Sequence, residues 1–337
     1  MTEPRLSIVV PTHNTRELTL RCLGSIAAAE PTVEPTIEPT IEPTVEILLV
    51  DDAGTDGTAE AVAERFPAAL LIRTAAPAGF TRAANLGMAR ATGGLLLLLN
   101  SDTEVDAAGL AALRAAFAAD PRLGAAGAEL RYPDGSAQWS GGRAPSLLWL
   151  FALASGAPVL LGRLPFYRRL KPPGEKRGAV EWVTGAALAV RREAWEAVGP
   201  LDEEFHFYGQ DLDLCLRLRQ AGWRVDLLPD FRVLHHHGAT IGSAPGAGGG
   251  RQHPELLWTD LLRWARKHRG TFWARRAALA LAAGGVARLL GRALAAPFLS
   301  DAERAARRDE SRAFRRALRA VLAALFSRRL AIPRPGV

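Results

Sequence analysis

The first hundred residues repeat one order of positions: a short charge-free apolar run, a polar cluster, then an amphipathic stretch. Leu6 to Val10 predicts a buried strand closed by Pro11-Thr12-His13-Asn14, and Glu17 to Ala29 carries apolar residues at helical spacing. Val45 to Val50 predicts a second strand ending in Asp51-Asp52-Ala53-Gly54, followed by a helix over Thr58 to Arg65. Ala69 to Arg73 and the five leucines Leu95 to Leu99 predict two more strands, separated by a helix over Thr81 to Ala91 that stops at Thr92-Gly93-Gly94. Strands without charges suit a parallel sheet covered on both faces, and their alternation with helices implies a doubly wound α/β domain. Ligands of such sheets bind at the carboxyl ends of the strands. Thr12 to Asn14, Asp51-Asp52 and Asn100 to Asp102 all fall there.

Two segments depart from the pattern. Residues 31–46 are four near-identical tetrapeptides with proline at every fourth position, which excludes a helix and spoils sheet pairing, so an exposed extended loop is expected. Residues 144–178 are apolar, then basic, with scattered proline and glycine, and read as a long excursion on the acceptor side of the domain. Further on, a helix is expected over Asp211 to Ala221 and a strand over Val225 to Leu228. A second strand-like run ends in His235, His236 and His237, with His235 and His237 on one face. The Gly/Ala/Pro run Ser243 to Gly250 marks a boundary between a catalytic domain, 1–242, and a helical extension, 251–337.

Charge changes the picture only for that extension. Of a net +7, residues 251–337 hold 19 Arg and Lys against 6 Asp and Glu, so the preceding part is acidic on balance and ill suited to nucleic acid. Cys22 and Cys215 have no cysteine or histidine partner nearby and read as reduced, buried thiols. The N-terminus lacks the layout of a signal peptide, which makes a cytoplasmic protein the expectation.

A carboxylate at the mouth of a buried strand is costly unless solvated or bonded. Asp51 and Asp52 therefore suit a base or ribose hydroxyl, or else a turn, and Asp102 suits a divalent metal or else a helix cap. Asp211 and Asp213 stand at a helix start, where either serves as a cap or as a base toward a hydroxyl.

Together VVPTHN, EILLVDDAGTDGT, AGFTRAANLG, LLLLLNSD, the run from VTGAALAV to AGWRV, and VLHHHGAT resemble the family 2 glycosyltransferases, most closely the rhamnosyltransferase-like branch, over roughly residues 5–242. The resemblance implies a GT-A fold, a Rossmann-like and mostly parallel mixed sheet flanked by helices, here with a C-terminal helical extension. It implies an inverting transferase using a nucleoside-diphosphate sugar, a glycan or glycolipid acceptor, and Mn²⁺ or Mg²⁺. Pro11, Thr12, Asn14, Asp51, Asp52, Asn85, Asn100 and Ser101 then line the donor nucleotide site, and Asp102 and His235 hold the metal. Trp182, Gly185, Ala186 and Gln210 lie on the acceptor side, and Asp211 is the catalytic base. Two positions depart from the family pattern: Asn100 replaces the first acid of the metal motif, and Gln210 replaces the glutamate before the base. A non-catalytic sugar-nucleotide-binding scaffold is the alternative that Gln210 leaves open, and a nucleotidyltransferase would want a glycine-rich phosphate loop that PTHNTRE is not.

In the extension, Trp258, Leu261, Leu262 and Trp264 alternate with Arg263, Arg266, Lys267 and Arg269, which suits an anionic headgroup layer at the cytoplasmic face of the membrane, or else helices that pack on the domain with a basic outer face. Ala277 to Ala287, ended by Arg288, is too short an apolar run to span a bilayer.

Overall fold

The computed structural model describes residues 5–30, 45–156, 178–205, 207–236, 253–328 and 330–333. The repeat residues 31–44, the greater part of the 144–178 excursion, His237 and the hinge 243–250 lie outside the described residues.

The alternating strands and helices form as the sequence dictates. β1 (Leu6–Thr12), α1 (Arg16–Ala29), β2 (Val45–Asp51), α2 (Thr58–Arg65), β3 (Leu70–Arg73), α3 (Phe80–Arg90) and β4 (Leu95–Leu99) follow one another in that order. β1 pairs in parallel with both β2 and β4, and β3 extends the parallel set beyond β2. All five leucines of β4 are buried, which makes this strand one of the most apolar parts of the core. Each such leucine contributes about 1.5–3 kcal/mol on burial, whereas an unpaired charge in its place would cost several kcal/mol.

Beyond β4 the sheet becomes mixed. β5 (Thr103–Val105), α4 (Ala107–Ala119), β6 (Leu123–Arg131), β7 (Gly141–Gly142), α5 (Leu147–Ser155), β8 (Gly178–Ala179), β9 (Trp182–Val183) and β10 (Ala187–Arg191) follow. α6 (Arg192–Val198), α7 (Gln210–Gln220) and β11 (Arg224–His235) complete this part. Among the described residues the large sheet has nine strands in the order β3-β2-β1-β4-β10-β6-β11-β5, with β8 on β11. β10 is antiparallel to both β4 and β6, and β11 is parallel to β6 but antiparallel to β5. The two strand-like runs expected around 225–228 and 231–235 are one strand. Its register against β6 shifts between Leu228 and Arg232, where Pro229 has no N–H to give to a ladder.

Backbone packing divides the chain into two compact units. The sheet and its helices, including α6 and α7, make the first. The second is built from described residues of Ala144–Lys171, Glu204–Gly209 and Gln252–Val337. Thus α5 and the segment before α7, expected as parts of the catalytic domain, belong to the second unit. The physical reason is local. α5 (LLWLFALAS) has no polar face and packs on α8 (Pro254–Ala295), where a Cβ on Gly284 would lie 2.5 Å from the Phe151 carbonyl oxygen. The Asp260 carboxylate accepts from the Phe207 and Tyr208 N–H groups and pairs with Arg263. Gly270 (φ 80°, ψ 170°) interrupts α8, and α9 (Asp301–Phe326) starts from a capping box at Ser300 and Glu303.

Trp258, Leu261, Leu262 and Trp264, expected at a membrane surface, are instead core residues of this unit. Arg288 turns inward to the Leu153 carbonyl and the Phe314 ring, and Arg292 to Glu310. The helical run Pro254–Phe298 contains an 18-residue stretch of mean hydropathy 1.4, one third of it buried, which by length and composition alone is apolar enough to cross a membrane.

Gly87 shows how tightly α3 lies on the sheet: a Cβ there would sit 2.3 Å from Val9 Cγ1 and 3.0 Å from Val50 Cγ2. Gly87→Ala is expected to destabilise the protein by about 1–3 kcal/mol despite alanine's better helix propensity. Chemical denaturation of the variant checks this.

Candidate active site

The strand ends converge as the parallel sheet requires. After Leu99 the chain turns through Asn100-Ser101-Asp102, with the Asn100 N–H donating to the Ala186 carbonyl (2.9 Å) and so joining the end of β4 to the entry of β10. β5 pairs with β11 so that Thr103 faces His235, and the His236 N–H donates to the Asp102 carbonyl (2.8 Å). This register sets Asp102 Oδ1 3.3 Å from His235 Nε2, with both side chains buried. His236 points to the other face, 2.7 Å from Glu104, as strand alternation demands.

The donor set of Asp102 and His235 fits a hard or borderline divalent cation. Two ligands at about 2.1 Å in adjacent octahedral positions lie roughly 3 Å apart, close to the observed separation. Among the described residues no group of three or more His, Cys, Asp or Glu is arranged to hold a metal ion, so Asp102 and His235 form a two-residue donor set there. Asn100 contributes a buried Oδ1 without a hydrogen-bond partner among the described residues.

On the other side of the crevice, α7 begins at Gln210, and Asp211 is half-buried. The Gly185 N–H donates to Asp211 Oδ2 (3.0 Å) and the Leu212 N–H to Oδ1 (2.8 Å), which fixes the carboxylate's orientation. Asp213 is a different kind of residue. It is fully buried against Arg217 (2.7 Å), whose guanidinium also donates to the carbonyls of Val198, Gly199 and Pro200. Packing thus separates the two aspartates: Asp213 holds a loop, and Asp211 is held half-buried by the N–H groups of Gly185 and Leu212. Gln210 is buried, and its Oε1 has no hydrogen-bond partner among the described residues. Trp182 is also buried, its Nε1 donating to the Arg143 carbonyl, while Ala186 serves through its backbone.

The residues expected around the nucleotide divide by their bonding. Asp52 accepts from Thr74 Oγ1, the Ala78 N–H and the Gly79 N–H, and thereby pins the loop before α3. Asp51 accepts from the Gly54 N–H (3.0 Å) and pairs with Arg73 (3.2 Å). Asn14, exposed at φ 52°, accepts from the Thr55 N–H and closes the loops after β1 and β2 on one another. Thr12 and Ser101 lie below the surface in one hydroxyl network with Thr15 and Thr19, and Pro11 is paired within β1. Asn85 clips α3 to the segment after α6, with Oδ1 accepting from the Leu201 N–H and Nδ2 donating to the Leu201 carbonyl. In the structure, then, Thr12, Ser101, Asn85, Asp51 and Asp52 all have scaffold bonds and Asn14 alone of this set is exposed.

The sequence reading misses Gln138, which bonds to His235 twice, and Trp139, an exposed ring edge-on to Trp182 at 5.0 Å. The signal available was the turn Tyr132-Pro133-Asp134-Gly135, which folds the chain back beneath β11. Cys22 and Cys215 are buried and unpaired, and burial pushes both thiols up to about 12, so they stay protonated.

The family model described as Glycosyl transferase family 2 matches residues 7–196. An N-acetylglucosaminyl-diphospho-decaprenol L-rhamnosyltransferase of Mycobacterium tuberculosis is 33% identical over 248 residues, 65% of this chain and 78% of that protein. The O-antigen biosynthesis protein RfbC of Myxococcus xanthus is 32% identical over 247 residues, 70% of this chain and 18% of its own length. In structure, the mannosyltransferase PcManGT from Pyrobaculum calidifontis, solved with GDP-Man and Mn²⁺, superposes with a TM-score of 0.55 at 20% identity, covering 96% of this chain and 88% of that one.

The two aspartates of α7 are separable by stability. Asp213→Ala is expected to cost roughly 2 kcal/mol, less than the loss of a fully buried partner because Arg217 keeps three carbonyl acceptors. Asp211→Asn should leave the melting temperature nearly unchanged, and thermal denaturation of both variants checks the contrast.

Proposed function

The chain belongs to glycosyl transferase family 2 and is a glycosyltransferase with the GT-A fold, and from that premise we propose how its crevice works. The substrate is a nucleoside-diphosphate sugar, a hexose or deoxyhexose, and the acceptor is a hydroxyl of a lipid-linked glycan. The rhamnosyltransferase named above, whose acceptor carries a decaprenyl diphosphate, supports the acceptor class. The observation that carries the reading is the carboxylate–imidazole pair, Asp102 and His235, 3.3 Å apart at the mouth of β4 in the same unit as an oriented Asp211.

Asp102 and His235 hold a divalent cation, Mn²⁺ or Mg²⁺, which when bound neutralises charge on the diphosphate leaving group. The mannosyltransferase of the same fold, solved with Mn²⁺, supports a metal of this type. Asp51, Asp52 and Asn14 give the rim against which the nucleoside lies. Asp211 takes the acceptor proton while the acceptor oxygen attacks the anomeric carbon from the face opposite the diphosphate, which inverts the centre in one displacement. The Gly185 N–H keeps the carboxylate pointed at that hydroxyl. Gln210, neutral where the family has an acid, offers its amide to an acceptor hydroxyl.

A lipid-linked acceptor calls for a membrane address, and the second unit has one surface suited to it. On α8 beyond the Gly270 break, Leu279, Val286, Leu290 and Leu294 recur at helical spacing on one face, with Leu290 59% and Leu294 75% exposed. The stripe runs for roughly 22 Å at the helical rise. Its opposite face, with Ala277, Ala278, Leu281, Gly284 and Gly285, is buried, so α8 lies in the plane of the bilayer surface. The 19 basic residues of 251–337 favour an anionic leaflet. The location is the cytoplasmic face of the membrane.

Two outcomes test these readings. Asp211→Asn should lower sugar transfer by about 10²–10⁴-fold while donor-induced thermal stabilisation persists; transfer at the unaltered rate overturns the base. Leu290→Glu/Leu294→Glu should abolish flotation with anionic vesicles without lowering the melting temperature, whereas flotation equal to that of the unaltered chain overturns the stripe as anchor.

A further inference from the structure

The ligand role of His235 requires a lone pair on Nε2, since neutral imidazole carries its single hydrogen on one nitrogen only. What decides the nitrogen is the hydrogen bond at the other side of the ring. That side is occupied by Gln138, a buried residue 97 positions earlier in the chain.

The geometry leaves one consistent arrangement of hydrogens. The His235 carbonyl oxygen only accepts, so the Gln138 amide nitrogen, 2.6 Å away, donates to it. The amide is planar, and this orientation turns Oε1 toward His235 Nδ1 at 2.8 Å. Oε1 also only accepts, so Nδ1 carries a hydrogen. In the neutral ring Nε2 then presents its lone pair on the side of Asp102, 3.3 Å away. One side chain thus reads both the main chain and the ring of the same histidine. A carboxylate in its place would serve the ring but not the carbonyl, and an apolar residue would serve neither.

Gln138 reaches this position through a tight turn. The Gly135 N–H donates to the Tyr132 carbonyl, Gly135 adopts φ 81°, and Asp134 accepts from the Ser136 N–H and hydroxyl. The Gln138 N–H then donates to the Leu130 carbonyl (2.8 Å), while Ser140 Oγ accepts from the Leu130 N–H (2.9 Å), anchoring the return strand to β6. The turn is exposed, but its return strand delivers an amide to the buried side of the candidate metal pair.

We propose that Gln138 is a positioning residue: it fixes the His235 imidazole in the tautomer and orientation that bind a divalent cation. This rests on the reading of Asp102 and His235 as metal ligands. The test is ¹⁵N NMR of the histidine rings of the full chain, read with the ring neutral, with Mn²⁺ added stepwise to broaden the His235 signal. The unaltered chain should show hydrogen on Nδ1 and broadening of His235. Gln138→Leu should give mixed tautomers and raise the Mn²⁺ midpoint about 10–100-fold. Gln138→Glu, which keeps the acceptor for Nδ1, should retain the Nδ1–H tautomer and lie within about threefold of the unaltered midpoint. A hydrogen on Nε2 in the unaltered chain, or a folded Leu variant with unchanged tautomer and midpoint, overturns the role of Gln138. No Mn²⁺ effect on His235 in the unaltered chain overturns the metal pair itself. Should the Leu variant fail to fold, the tautomer of the unaltered chain and the Glu variant decide.

Discussion

The exclusion of charge from β4 is the constraint on which the site depends. Five consecutive leucines are buried between a parallel neighbour, β1, and an antiparallel one, β10. Nothing polar is tolerated until the strand ends, so the chain's polar chemistry is compressed into Asn100, Ser101 and Asp102 immediately beyond it. The antiparallel entry of β10 then delivers Gly185 and Ala186 to the same edge from the opposite direction. The crevice exists because strands of two directions bring their polar ends to one place.

Around this edge, polar residues of the same type have different duties, and burial with bonding assigns them. Asp213 and Asp211 are two positions apart, yet one is locked to Arg217 inside the domain and the other is held half-buried by the N–H groups of Leu212 and of Gly185 in the turn between β9 and β10. Thr12 and Ser101 join β1 to the β4 turn through hydroxyls, giving the rim rigidity without reaching it. Preorganisation of this sort lets a carboxylate face its substrate without searching for its orientation.

The parallel half of the sheet is legible because charge-free strands and amphipathic helices alternate there without interruption, and Asp51, Asp52 and Asp102 stand at the strand ends the pattern marks. The mixed half is harder. The ends of β11 look like separate strands because Pro229 and Asp230 interrupt the apolar run, while the ladder resumes after a register shift. α5 has an apolar composition that fits a core as well as an excursion, and its packing along α8, at Gly284 and Arg288, places it in the second unit. Trp258 and Trp264 look interfacial beside their arginines, yet both rings are buried and Arg263 is buried with them, paired with Asp260. Gln138 is invisible to periodicity altogether, since its meaning comes from a partner 97 residues away.

β11 is the last strand of the sheet in chain order, and it enters between β6 and β5. His235 arrives on it, and its neighbour's N–H is the one that holds the Asp102 carbonyl. During synthesis the chain therefore presents the parallel strands and the Asp102 turn well before the pair at β4 is complete. Closing that pair joins residues 102 and 235, a distant contact of the slow kind that follows local structure in folding. Formation of that pair therefore reports completion of the whole sheet, because no local segment of the chain contains both of its members.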